Sequence, residues 1–307
     1  MRIFRFVVPI LLAVSSQAVT LNQLLNATPT RVVNFPIADG RSLTMGIFNP
    51  PDLKPTERRS ALVWIHGGGW TAGDASSFYP HAQYSADRGA IGISINYRLM
   101  GMGARNAADC LSDCRSAIVY LRGHASELQI DPDHIAVLGD SSGGHLAGCL
   151  GTIPDPINGK LSRPDAMVLF NPITDCTQGT WWYAASGKPL KKGASTQPSA
   201  ELLAEARSLS PIWSITSGDP PTLVMHGLSD HVVVPEQSER FTNAMHSAGN
   251  KCQLILIPST RHAFVCTRYT APPATVVSAI VQADRFLTEL GFLKGTPTLT
   301  TDASAQR

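Results

Sequence analysis

The 307-residue chain contains no uninterrupted apolar run of the roughly 20 residues that a helix needs to cross a bilayer, so no bilayer-spanning helix is expected. A surplus of one charge is also missing. Its 25 lysines and arginines face 23 acids, a formal net charge of +2, and no basic cluster of the kind that grips nucleic acid interrupts the mixture. No nucleic-acid partner is expected. The six cysteines are dispersed and lack the CxxC pairs of a structural zinc site, so no metal is expected either. No internal repeat is evident. What is present is a hydrophobic fraction of 43% with 16% charged residues, too balanced for disorder and enough to bury one large core.

Residues 1–18 read as a secretory signal peptide. Arg2 and Arg5 flank the start of an apolar run from Phe6 to Val14, which gives way to Ser15-Ser16-Gln17-Ala18, with small residues placed for cleavage after Ala18. The alternative, an uncleaved anchor, suffers from the shortness of the run. Cleavage removes two arginines and no acid and leaves the charges balanced. The expected location is therefore secreted or periplasmic. Oxidising conditions there make disulfides an expectation for Cys110, Cys114, Cys149, Cys176, Cys252 and Cys266, with the pairing left open. Cys110 and Cys114 fall one turn apart on one helix face, so each is expected to be free or to pair elsewhere.

Six short apolar runs recur along the chain: Ala61 to Ile65, Ala90 to Asn96, Ile135 to Leu138, Ala166 to Phe170, Thr222 to Met225 and Gln253 to Ile257. Most are continuous rather than alternating, as strands covered on both faces are. Helical spacing of apolar residues predicts helices over Ala108 to His124, Pro235 to Ala248 and Val276 to Leu290. Arg31 to Pro36 and Ser42 to Phe48 flank the turn dipeptide Asp39-Gly40 and predict an antiparallel edge. The fold class is α/β, a mostly parallel central sheet with helices on both faces. The main domain is expected over residues 19–293. Residues 174–209 lack a clear strand and carry Trp181-Trp182-Tyr183 and Lys191-Lys192-Gly193; they read as a small cap-like insertion after the sixth strand. A flexible tail is expected over residues 294–307.

Chemistry-bearing residues concentrate at strand ends. Gly139-Asp140-Ser141-Ser142-Gly143 follows one apolar run and precedes an apolar helix. A sharp strand-to-helix turn holds a serine oxygen clear of the backbone and sets helix N–H groups beside developing negative charge, which makes Ser141 the candidate nucleophile. His66-Gly67-Gly68-Gly69-Trp70 follows an earlier run, and its backbone N–H groups at Gly68 and Gly69, with that of Ser142, are candidate oxyanion donors. The alternative is a purely structural glycine turn. A nucleophilic serine needs a base and an orienting acid. Asp230 and His262 each follow a late strand and fit these roles.

Other residues fit less well. His226 is expected to shape the acid-bearing loop, His231 to point elsewhere, Asp140 to orient or pack, and His145 to lend polar support from the helix after Ser141. Glu201 and Glu205 come too early in the strand order, and Cys149 reads as helix core. Trp70, Trp181 and Trp182 are candidates for the substrate pocket.

The combined pattern resembles the α/β-hydrolase superfamily. Within it the chain is similar to secreted esterases grouped with feruloyl- and acetyl-xylan-esterase-like proteins and, more distantly, to the hormone-sensitive-lipase group. The marks are HGGGW at 66–70, NYR at 96–98, DPDHIAVLGDSSGGHLA at 131–147, SP at 210–211, PPTLVMHGLSD at 220–230 with VP at 234–235, and HAF at 262–264. The resemblance implies Ser141 as nucleophile, Asp230 as acid, His262 as base and the same oxyanion donors. It implies a cofactor-free hydrolysis of carboxylic esters with small or medium acyl groups, with acetyl or feruloyl decoration of plant polysaccharide as a candidate substrate. A serine peptidase or lipase on the same fold, and a noncatalytic binding protein, are the alternatives. Cys110, Cys114 and the tryptophan-bearing insertion depart from the family pattern and bear on specificity.

Overall fold

The apolar runs become strands of one eight-stranded sheet in the computed structural model, which describes residues 18–188, 197–267 and 271–301. In chain order the strands are β1 (Arg31–Pro36), β2 (Ser42–Phe48), β3 (Arg59–Ile65), β4 (Ile91–Ile95), β5 (Ile130–Asp140), β6 (Ala166–Phe170), β7 (Thr222–Gly227) and β8 (Cys252–Ile257). Their spatial order is β1-β2-β4-β3-β5-β6-β7-β8. The β1–β2 and β2–β4 pairs are antiparallel, and every pairing from β4 to β8 is parallel. The Asp39-Gly40 hairpin thus forms the edge expected from its turn.

Continuity of the apolar runs follows from the layers. Ala61, Val63 and Ile65 of β3 enter one core, while Leu62 and Trp64 enter the other. The first core is closed by α2 (Ala107–Gly123), α3 (Ser142–Thr152) and α6 (Glu236–Ser247), through Leu111, Ile118, Leu146, Leu150, Phe241 and Met245. The second is closed by α1 (Tyr79–Asp87) and α7 (Pro273–Glu289), through Ala82, Ile280, Ala283 and Leu287. Each fully buried large aliphatic or aromatic side chain contributes about 1.5–3 kcal/mol, and β4, β6 and β7 are buried along their whole length.

Helix α1 has no counterpart in the sequence reading. Its buried face carries His81, Ala82, Ser85 and Ala86 rather than large aliphatics. Two of its polar groups find partners inside: His81 Nε2 lies 2.9 Å from the Val265 carbonyl, and Trp64 Nε1 donates to Ser85 Oγ at 3.1 Å. The insertion contains two further helices, α4 (Trp181–Ala185) and α5 (Ala200–Ser208). Lys191-Lys192-Gly193 lies outside the described residues, as does the signal-peptide reading apart from Ala18. Among the described residues no helix is long and apolar enough to cross a membrane.

Two expectations are corrected. The tail does not fray from residue 294, because Leu299 is buried and pairs with Val19 in a short parallel bridge, Val19–Thr20 to Leu299–Thr300; the remainder of the expected tail, residues 302–307, lies outside the described residues. No disulfide forms: all six cysteines are free and buried. Each packs as a small apolar side chain and several find soft acceptors, as when Cys110 Sγ donates to the Arg98 carbonyl at 3.2 Å.

Candidate active site

Strand β5 ends at Asp140 and α3 begins at Ser142, leaving Ser141 as the hinge between them. Its backbone has φ 53° and ψ −118°, a strained conformation for a residue with a Cβ. The Ser141 N–H donates to the Phe170 carbonyl at 2.9 Å, and its own carbonyl accepts the His145 N–H at 2.9 Å. The turn is tight enough to require Gly143, where a Cβ would stand 2.1 Å from the Ile65 carbonyl oxygen. This close approach draws the ends of β3 and β5 together.

The loops after β7 and β8 complete the site. His262 Nε2 lies 2.8 Å from Ser141 Oγ, and His262 Nδ1 lies 2.6 Å from Asp230 Oδ2. Asp230 Oδ1 accepts the N–H groups of Val232 at 2.8 Å and Val233 at 3.0 Å. Burial raises the Asp230 pKa, but hydrogen bonds from His226 and His262, the His262 charge and the Val232 N–H outweigh it and hold the carboxyl well below the usual range. An ionised Asp230 receives the Nδ1–H of His262. That leaves Nε2 bare to accept the Ser141 proton.

His226 stands behind the acid, as its sequence position suggested. Its Nε2 lies 2.8 Å from the Val233 carbonyl and 3.2 Å from Asp230 Oδ2, and its Nδ1 lies 2.6 Å from Ser238 Oγ. Ser238 carried no signal in the sequence. Asn171 carried none either, although it sits at φ 36° after β6 and donates to Asp140 Oδ1 at 2.9 Å. Asp140 therefore faces Asn171 and the Cys266 thiol, and burial pushes its carboxyl up. His231 is exposed, and Glu201 and Glu205 lie on α5, where Glu205 accepts from Asn106 at 3.1 Å.

The loop after β3 lies over the nucleophile: a Cβ on Gly67 would stand 3.3 Å from Ser141 Cβ. Gly68 has φ 114°, and a Cβ there would fall 2.2 Å from the Ala72 carbonyl oxygen, so both conformation and space demand glycine. Ser142 is the first residue of α3, and its N–H belongs to the set that a helix leaves without an internal acceptor. These donors beside Ser141 can hold an oxygen that becomes negative.

The tryptophans require a correction. Trp70 is 0% exposed and Trp182 is 3% exposed, so neither lines an open pocket. Both indoles find internal acceptors, Trp70 on His145 Nδ1 at 3.3 Å and Trp182 on the Gly179 carbonyl at 2.7 Å, which satisfies them within the core. Trp181 is partly buried and meets Trp70 edge-on, with ring centroids 6.2 Å apart. Among the described residues no group of three or more His, Cys, Asp or Glu side chains could hold a metal ion.

The chain is 30% identical over 235 residues to the probable carboxylic ester hydrolase LipM of Mycobacterium tuberculosis, covering 73% of this chain and 54% of that one. It is 28% identical over 238 residues to an ethyl acetate hydrolase of Pseudomonas putida, covering 74% and 73%. The chain thus spans just over half the length of the mycobacterial relatives LipM and LipQ. Among solved structures, a thermophilic esterase of Thermogutta terrifontis with butyrate bound superposes with a TM-score of 0.76 at 33% identity, covering 88% of this chain and 98% of that one. The same esterase phosphorylated by paraoxon gives 0.75 at 32% identity, covering 87% and 96%. The family model BD-FAE matches residues 45–245, well over half of the chain. This chain, with its α/β-hydrolase fold, therefore belongs to the BD-FAE family.

Proposed function

We propose that the chain is a serine carboxylesterase acting on esters with small or medium acyl groups. The observation that carries this reading is the unbroken hydrogen-bonded series from Asp230 through His262 to Ser141. Ser141 Oγ attacks the ester carbonyl as His262 Nε2 takes its proton, and Asp230 fixes the imidazole tautomer and supports the imidazolium. The N–H groups of Gly68, Gly69 and Ser142 hold the tetrahedral oxyanion. His262 then protonates the leaving alcohol. In the second half it activates water against the acyl-enzyme.

Small acyl groups are favoured by the relatives: one is named for ethyl acetate, and the Thermogutta esterase was captured with butyrate and with propionate. Within this class we carry acetyl and feruloyl esters of plant polysaccharide as proposed natural substrates, on the sequence resemblance. We also propose export, on the signal-like residues 1–18; N-terminal sequencing of secreted protein should begin at Val19.

The test is Ser141→Ala. The wild-type chain should bind a fluorophosphonate covalently and show burst kinetics with p-nitrophenyl acetate, and the variant should do neither while remaining folded. A folded Ser141→Ala chain that still labels and bursts overturns the reading. A panel of p-nitrophenyl acyl esters with acetylated xylan and feruloylated arabinoxylan then ranks the substrates.

A further inference from the structure

Three successive residues of the loop after β3 have left-handed backbone: Gly68 at φ 114°, Gly69 at φ 61° and Trp70 at φ 61°. Glycine adopts such angles freely. A bulky residue is a true outlier there and persists only where its surroundings over-determine it. Trp70 is held at two points. Its carbonyl accepts the Met100 N–H at 2.8 Å, and its indole Nε1–H donates to His145 Nδ1 at 3.3 Å, with the two rings edge-on at 5.0 Å.

His145 is itself fully buried, one turn along α3 from Ser141. Its Nε2–H donates to the Leu209 carbonyl at 2.6 Å, which fixes the tautomer and leaves Nδ1 as the acceptor that Trp70 needs. Burial pushes its pKa down to about 4, so the ring stays neutral near neutral pH. The thiols of Cys149 and Cys176 lie 3.4 and 3.5 Å from the same Nε2. Leu209 and Cys176 belong to the two ends of the insertion. One imidazole therefore meets the elbow helix, the strained loop and the base of the insertion.

We propose that His145 is a positioning residue: by accepting the Trp70 indole proton, it holds the strained loop so that the Gly68 and Gly69 N–H groups converge with that of Ser142 on the oxyanion. The inference rests on the esterase reading of Ser141. His145 acts through Trp70 and touches neither substrate nor the Ser141 hydroxyl. Its loss should weaken the states that carry an oxyanion and leave ground-state binding nearly intact.

The experiment compares His145→Leu, His145→Gln, Trp70→Phe and the Leu/Phe double variant on p-nitrophenyl butyrate. Losing one oxyanion donor outright lowers kcat by about 10²- to 10³-fold in other hydrolases, so displacing donors should lower it roughly 10- to 100-fold with KM within about twofold. His145→Gln, which retains a donor and an acceptor, should recover most of the loss. The double variant should fall no further than the worse single variant, because both act on one hydrogen bond. A trifluoromethyl ketone, which forms the oxyanion, should bind more weakly in step with kcat while the KM for the neutral ester holds. An unchanged kcat in folded His145→Leu, additive losses, or a loss confined to KM would overturn the proposal. Should His145→Leu not fold, Trp70→Phe decides: full activity there overturns it. Failure of the wild-type chain to take up a fluorophosphonate would instead refute the esterase reading itself.

Discussion

Replacing Asp230 by Asn changes one oxygen to an amide nitrogen and barely alters shape, so its effect follows from the hydrogen bonds around the carboxylate. The amide can be placed in two ways. With its NH₂ at the Oδ1 position it faces the Val232 and Val233 N–H groups and strands two backbone donors, that of Val233 fully buried. With its NH₂ at the Oδ2 position it opposes His226 Nε2–H, which keeps the Val233 carbonyl at 2.8 Å, and donates to His262 Nδ1. The second placement is better by one to two stranded donors at about 1–3 kcal/mol each, or about 3 kcal/mol. It turns His262 into the wrong tautomer, with a proton on Nε2 facing Ser141. Lost support for the imidazolium adds about 1.5–3 kcal/mol, the range for a hydrogen bond to a charged group. At 1.36 kcal/mol per tenfold the expected fall in kcat is roughly 10³- to 10⁴-fold. The assay is p-nitrophenyl butyrate hydrolysis on folded protein verified by circular dichroism. A kcat within tenfold of wild type would refute the tautomer argument and the role given to Asp230.

The remaining expectations concern the elbow, pH and the thiols. Gly143→Ala sets a Cβ 2.1 Å from one backbone oxygen and 2.6 Å from another, neither able to yield cheaply, and should destabilise the fold by about 1–3 kcal/mol; a wild-type urea midpoint would contradict this. Burial pushes both His81 and His145 down to about 4, whereas the unfolded chain protonates them near 6.5. The unfolded state therefore binds more protons between these values, and stability should fall as pH drops from about 6.5 to 4, by up to about 3 kcal/mol per histidine. Urea titrations that show constant or rising stability over that window would count against the buried neutral rings. Ellman's reagent should find the native thiols silent and all six reactive in denaturant without reductant; a smaller count would reveal a disulfide.

What the sequence disclosed and what it hid divide along physical lines. Strands covered on both faces must be continuously apolar, and so β4, β6 and β7 were plain to read. Helix α1 is not, because it buries His81 and Ser85, whose partners Val265 and Trp64 lie far away in the chain. Spacing located Ser141, Asp230 and His262, since each must follow a strand at one end of the sheet. Spacing does not give the direction of a side chain, and so it points to Trp70 and Trp182 as pocket walls although both turn inward to internal acceptors. The cysteine expectation rested on the surroundings of an exported chain, whereas the geometry records six thiols used as packing.

The separation of 121 residues between Ser141 and His262 has a consequence for biosynthesis. Because β7 and β8 deliver the acid and the base, a chain emerging from the ribosome has no working serine until its last two strands dock. A half-made polypeptide would be chemically silent toward cellular esters. Hydrolytic activity, once measured, would thus report completion of the whole sheet.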